Sequence, residues 1–127
     1  IPAYGISQAD FSLGEITCTE ELSSEAIYGE YEKNAGLSIA CLFDERDYTT
    51  SPGALVKDHG PFAWGSDIEM ALKNALVIER LAKLAYLTET LDRDVVSAPQ
   101  AIVDKYFFRR RAMDKKYKEN KDNKDRY

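Results

Sequence analysis

The pattern of this chain predicts mixed α and β structure, of the α+β or three-layer αβα type. Three observations carry that expectation. Short extended pieces punctuated by Gly and Pro occupy residues 1–22 and 54–58, and helical periodicity marks the stretches 24–44, 68–91 and 99–111. Local strand–helix–strand units, the mark of a parallel doubly wound sheet, are few.

The elements follow in order. "IPAYG" and "GEITCT" read as extended pieces, the second alternating Ile and Cys between Gly14 and the acidic pair Glu20 and Glu21. Ser23 or Ser24 caps a helix in which Ile27, Tyr31, Ala35 and Ile39 recur at four-residue spacing. Gly29 and Gly36 each weaken that helix by about 1 kcal/mol relative to Ala, so it depends on tertiary packing. "RDYTTSPG" is a loop, and "ALVKD" a short strand that delivers His59 to its end before a turn on Gly60 and Pro61. Ser66, with Glu69 three residues on, forms a capping box. The helix it opens runs to about Leu91, with Ala71, Ala75, Ile78, Ala82 and Ala85 along one side. Ile68, Leu72, Leu76 and Leu87 broaden its apolar face, and the alanines allow close approach of a sheet or a second subunit. A last helix begins near Pro99 and carries Ile102, Val103, Tyr106 and Phe107 to the basic cluster 109–111.

The 127 residues make one domain's worth of chain, enough for a single substantial core. No apolar run is long enough to cross a bilayer, and no signal-peptide pattern opens the sequence, so no membrane partner is expected. The first residue is not Met, so the chain is expected to start downstream of a natural beginning. Cys18 and Cys41 form no CxxC pair, which favours buried reduced thiols over a disulfide and points to the cytoplasm. Net charge is −5, yet residues 104–127 hold ten Lys/Arg against five Asp/Glu. Acids interleave those cations and no base-stacking motif accompanies them, so a solvated, partly disordered tail explains them better than nucleic-acid binding.

Three side chains could carry chemistry. His59, the only histidine, is either an ordinary turn residue or a metal ligand whose co-ligands lie elsewhere. Asp10, in "SQADF", is a helix cap or a general acid/base. Tyr117 lies between Lys116 and Lys118, whose charge favours an ionised phenol, or it is simply an exposed tail residue. Composition singles out none of them.

"IPAYG…AD", "GEITCT", "GEYEKNAG", "PGALVKDHGPFAWG", "ALVIERLAKLA" and "DKYFFRRR…Y" occur in one order. In that order they resemble the C-terminal part of the class II aldolase/epimerase family, in its L-ribulose-5-phosphate 4-epimerase branch. The resemblance implies a three-layer αβα fold with a central, mostly antiparallel sheet, of which this chain is a C-terminal fragment. Residues 1–113 would belong to that domain, and 114–127 would be a basic tail carrying the catalytic tyrosine. It implies His59 as the third histidine ligand of a divalent metal, zinc by preference, with Asp10 and Tyr117 as the acid/base pair. The tyrosine would reach across a subunit boundary in a homotetramer whose active sites lie at interfaces. The implied substrate is a pentulose phosphate, L-ribulose 5-phosphate interconverting with D-xylulose 5-phosphate. The H-x-H ligands and phosphate loops would lie in an absent N-terminal half, so the chain alone is expected to be inactive. Gln8 and Tyr106 stand where histidine is common in such proteins, Ile6 where threonine is frequent, and charged Lys57 and Asp58 precede His59. The alternatives are a class II sugar-phosphate aldolase of the L-fuculose-1-phosphate type and a non-catalytic module like the adducin head.

Overall fold

The computed structural model describes residues 1–124 of the chain as helices gathered on a two-stranded antiparallel hairpin. Strand β1 (Gly53–Val56) pairs with β2 (Gly60–Ala63) in the register Gly53↔Ala63 to Val56↔Gly60. The turn between them is residues 57–59, three residues earlier than expected on Gly60 and Pro61, both of which belong to β2. His59 N–H donates to the Val56 carbonyl at 3.1 Å, and Asp58 sits in the left-handed region at φ 58°. Asp tolerates that conformation better than most residues.

Helices α1 (Ile6–Ala9), α2 (Ser24–Tyr28), α3 (Tyr31–Leu42), α4 (Ile68–Leu91) and α5 (Gln100–Lys124) surround it. Of the expected three-layer fold with a central, mostly antiparallel sheet, the described residues show this hairpin and one parallel bridge, Cys18↔Leu55. Leu55 N–H donates to Thr17 and Thr19 N–H donates to Leu55, so "GEITCT" does run extended beside β1. The preceding segment does not. Residues 6–9 form α1, with Asp10 as its C-cap.

The 24–44 helix is two helices. Ser23 Oγ accepts from Ala26 N–H as the N-cap of α2, and the chain then breaks at Gly29, where ψ is −128°. Asn34 Nδ2 reaches back to the Ala26 carbonyl at 2.9 Å across the break. The cap of α4 also moves by one residue: Asp67 Oδ1 accepts from Met70 N–H at 2.8 Å, and Ser66 Oγ donates to the same carboxylate. An Asp and a Ser compete for one capping role, and the carboxylate wins at the positive end of a helix.

Two small cores hold the chain. Ile16, Ile78 and Leu81 are buried together, with Leu55 and Ala63 of the hairpin against them. Ala3, Ala9 and Val103 form the second, where α1 meets α5 beneath Tyr106. The apolar side chains expected to broaden the core face of α4 are instead outside: Ile68, Leu72, Leu76 and Leu87 are all exposed. The cysteines are free as expected but exposed, not buried. The expected disordered end is helical to Lys124. Lys, Glu and Arg are good helix formers, and Arg110–Asp114 is an i,i+4 pair at 3.4 Å. Helix α5 passes through residues 113 and 114 without interruption.

Gly53 permits the closest approach in the fold. A Cβ there would lie 2.1 Å from the Phe62 carbonyl oxygen and 2.6 Å from Ile78 Cδ1. Gly53→Ala is therefore expected to cost about 2 kcal/mol or more. Gly36→Ala, inside α3 with nothing within 4 Å of the added methyl, is expected to gain roughly 0.5–1 kcal/mol. Urea unfolding midpoints that move in the same direction for both would contradict this account of the hairpin.

Candidate functional site

His59 is placed by backbone geometry and little else. Its ring lies 6.1 Å from Tyr31, nearly parallel, and 5.1 Å from Phe62. It is exposed at the tip of the hairpin, and among the described residues its ring nitrogens have no hydrogen-bond partner. The rest of "HGPFAWG" is occupied structurally. Gly60 has φ +131°, a conformation L side chains rarely adopt, and Ala63 packs on the Ile16–Ile78 core. Trp64 donates from Nε1 to the Tyr48 carbonyl at 3.1 Å, and its ring meets Phe43 edge-on at 5.3 Å. A Cβ on Gly65 would come within 2.6–2.7 Å of the Met70 and Ala71 backbone. Helix α4 can start there only because that position carries no side chain.

Asp10 stands elsewhere. It lines a cleft of about 670 Å³ with Trp64 and Asn74 on one side and Phe107, Arg110 and Lys115 on the other. Asn74 Nδ2 donates to the Trp64 carbonyl at 2.7 Å, which fixes that wall. Asp114, one turn before Tyr117 on the same helix, also lines the cleft. The Tyr117 side chain lies outside the described residues. The structure thus brings Asp10 and the helix bearing Tyr117 to one cleft, whereas His59 does not line it.

A metal is the group that a lone exposed imidazole invites. Among the described residues no three His, Cys, Asp or Glu side chains stand close enough to hold one. The donors present do not by themselves make a metal centre.

The departures at Gln8 and Tyr106 now have physical reasons. Gln8 is buried, and its Nε2 donates to the Ile1 and Gly14 carbonyls at 3.0 and 3.2 Å, tying two backbone segments under α1. Tyr106 packs on the Ala3–Ala9–Val103 core beneath the Arg109 guanidinium, 4.4 Å from its ring. Lys57, Asp58 and Ile6 are exposed, and none of the three lines the Asp10 cleft.

The sequence predicts a loop at "RDYTTSPG", and the structure adds that this loop closes one side of the cleft. Asp47 caps a 3₁₀ turn, Tyr48–Thr50, by accepting from Thr49 N–H at 2.8 Å. Arg111 donates to the Thr49 carbonyl while its guanidinium covers Phe107 at 4.5 Å. The basic cluster is spent inside the chain: Arg109 on Tyr106, Arg110 on Asp114 and Arg111 on this loop.

Hydrogen bonds from Thr49, and then the nearby Arg111 charge, hold the Asp47 carboxyl below its ordinary pKa. Such a carboxylate stabilises the fold above its unfolded pKa and loses that contribution as pH falls through the lower folded value. Asp47→Asn keeps an acceptor for Thr49 and removes the charge. It is expected to flatten the loss of stability below about pH 4, followed by circular dichroism. An acid limb as steep as that of the parent chain would contradict this role.

Residues 1–86 match the family described as Class II Aldolase and Adducin N-terminal domain. No described helix is long and apolar enough to cross a membrane.

Proposed function

The chain belongs to the class II aldolase and adducin N-terminal domain family, and from that premise we propose that it is part of a sugar-phosphate epimerase. The reaction would interconvert L-ribulose 5-phosphate and D-xylulose 5-phosphate. The observation that carries this reading is the shared cleft of Asp10 and the helix bearing Tyr117.

The chemistry requires two proton-transfer groups. The carbon to be inverted, C4, is two carbons from the C2 carbonyl, so its hydrogen is not acidic. A base takes the C4 hydroxyl proton instead. The O–H electron pair becomes the aldehyde C=O, and the C3–C4 pair moves to C3 to give an enediolate of dihydroxyacetone. The freed glycolaldehyde phosphate turns its other face and is attacked again, and its oxygen takes back a proton. The two faces present that oxygen in two directions, so two residues suit the task better than one. Asp10 serves one and Tyr117 the other. Their reference pKa values, roughly 3.9 and 10, lie on either side of neutrality.

Among the described residues the His59 ring makes two loose aromatic contacts and no hydrogen bond, and we assign it to a divalent metal, zinc by preference. The other donors come from outside the described residues. Because His59 does not line the Asp10 cleft, the reading joins the imidazole of one copy to the Asp10 cleft of a neighbour, in a homotetramer with sites at subunit boundaries. The free thiols fit a reducing compartment, and we place the protein in the cytoplasm.

In the intact protein, Asp10→Asn and Tyr117→Phe are expected to slow epimerisation by about 10²–10⁴-fold with metal content unchanged. His59→Asn is expected to lower metal content by elemental analysis. Release of free glycolaldehyde phosphate from L-ribulose 5-phosphate would instead identify an aldolase. An intact protein with neither bound metal nor turnover would leave an interaction module.

A further inference from the structure

Three consecutive carbonyls in the turn Tyr48–Thr50 accept hydrogen bonds from three distant parts of the chain. The Tyr48 carbonyl accepts from Trp64 Nε1 at 3.1 Å, where the chain leaves β2. The Thr49 carbonyl accepts from the Arg111 guanidinium of α5. The Thr50 carbonyl accepts from Leu13 N–H at 2.9 Å, three residues after Asp10. The turn is itself held shut: Asp47 Oδ1 accepts from Thr49 N–H, and Thr50 Oγ1 donates to the Asp47 carbonyl at 2.6 Å. The segment joining Asp10 to Leu13 has little freedom of its own. Phe11 N–H and Ser12 N–H both donate to the Gln8 carbonyl at 2.9 Å, and Ser12 is buried. On the α5 side the Arg111 guanidinium lies over the buried Phe107 ring at 4.5 Å. Each of these contacts is made within the chain, so none depends on which surfaces are open.

We propose that this turn is a clasp that sets the geometry of the Asp10 cleft, with Arg111 and Asp47 as positioning residues for the reaction. Through Leu13 the turn holds the segment that follows Asp10. Through Arg111 it holds α5 six residues before Tyr117. Six helical residues span about 9 Å, less than two turns, so any tilt or roll of α5 at Arg111 is carried to position 117. Misplacing a reacting group by about 1 Å costs on the order of 10²-fold in rate. Arg111 lines the cleft, yet its guanidinium is committed to a carbonyl and a ring face. Arginine suits that double task, because its planar group stacks on an aromatic face while its edge donates. A lysine could make the hydrogen bond alone. The effect on rate rests on the proposed epimerisation, whereas the clasp itself does not.

Steady-state kinetics and fluorine NMR of the intact protein test it together. Arg111→Met keeps an apolar stem over Phe107 and removes the donors. It is expected to lower kcat by about 10–10²-fold, with KM within about threefold of the parent and an unchanged circular dichroism spectrum. Arg111→Lys, which keeps a donor, should recover at least about a third of the parent kcat. Asp47→Ala, which uncaps the turn, should lower kcat in the same way. The double variant should lie within about threefold of the slower single one, since both act through one turn. With 5-fluorotryptophan in place of tryptophan, Trp64 reports on the Tyr48 carbonyl that it holds. Its resonance, identified by its loss in Trp64→Phe, should move in Arg111→Met and return in Arg111→Lys. A rise in KM at unchanged kcat would mean that Arg111 binds substrate directly, and overturns the proposal. So does an additive loss in the double variant, or a Trp64 resonance that Arg111→Met leaves in place. A parent without turnover overturns the epimerase reading instead, and the resonance then decides the clasp alone.

Discussion

The close passage of helix α4 over the hairpin is the constraint on which the described structure depends. Ile78 Cδ1 fills the space where any side chain at Gly53 would stand, and Ile16 and Leu81 close around it. Alternate residues of β1, Ala54 and Val56, are buried as well, so this short strand is covered on both faces. A strand of four residues with one neighbour would not persist alone. Burial supplies what the ladder cannot. Gly65 imposes a second close approach, because α4 must begin directly on the chain leaving β2. Between them these two glycines set where Trp64 lies and how the turn that carries His59 is aimed.

The second core is more loosely joined to the first. Val103 and Tyr106 of α5 rest on Ala3 and Ala9, and Ala98 N–H donates to the Ala3 carbonyl at 2.7 Å. Across the cleft Arg111 donates to the Thr49 carbonyl, and away from it Tyr4 Oη donates to Glu89 at 2.7 Å and Leu13 N–H to the Thr50 carbonyl at 2.9 Å. Exposed hydrogen bonds of this kind contribute on the order of 1 kcal/mol or less each. The cleft therefore lies between two units that are each packed internally and bridged by groups that water can replace. Asp10 belongs to one unit through α1, and Trp64 with Asn74 to the other.

Much of this was legible in the residues. The strand before His59, the start and end of α4 and the start of α5 follow from turn residues, a capping signal and helical spacing, whereas α5 continues to Lys124 through a stretch expected to be disordered. The errors have identifiable causes. Helix α1 has four residues and is buried through Gln8 and Ala9, a pattern too short for any period to register. Gly29 was read as weakening a helix, and it ends one. For α4 the apolar residues were correctly placed on a helix but assigned to the wrong side of it. A row of leucines reports only that water is unfavourable, and core and interface satisfy it equally. Of the candidate site, the residue types were visible and the separation of His59 from Asp10 was not. That separation depends on how two cores sit together, and no local signal encodes it.

The motif around the histidine shows how a functional assignment can be sharpened by subtraction. In "HGPFAWG" the glycines answer to backbone conformation and to steric contact, Ala63 to the core, and Trp64 to a hydrogen bond and an aromatic edge. Each of these would be retained by selection for folding alone. His59 lies among them, exposed, with two loose ring contacts. A lysine or serine could occupy the same turn at the cost of those two ring contacts alone. These contacts account for four positions of the seven, and His59 is the titratable one of the three that remain. Asp10 passes the same subtraction less cleanly, since a C-cap needs only its backbone N–H, which donates to Gln8 and Ile6, and any side chain could stand there. Two titratable groups that the described contacts do not need are thus held on separate packed units of the chain, Asp10 beside α1 and His59 on the hairpin.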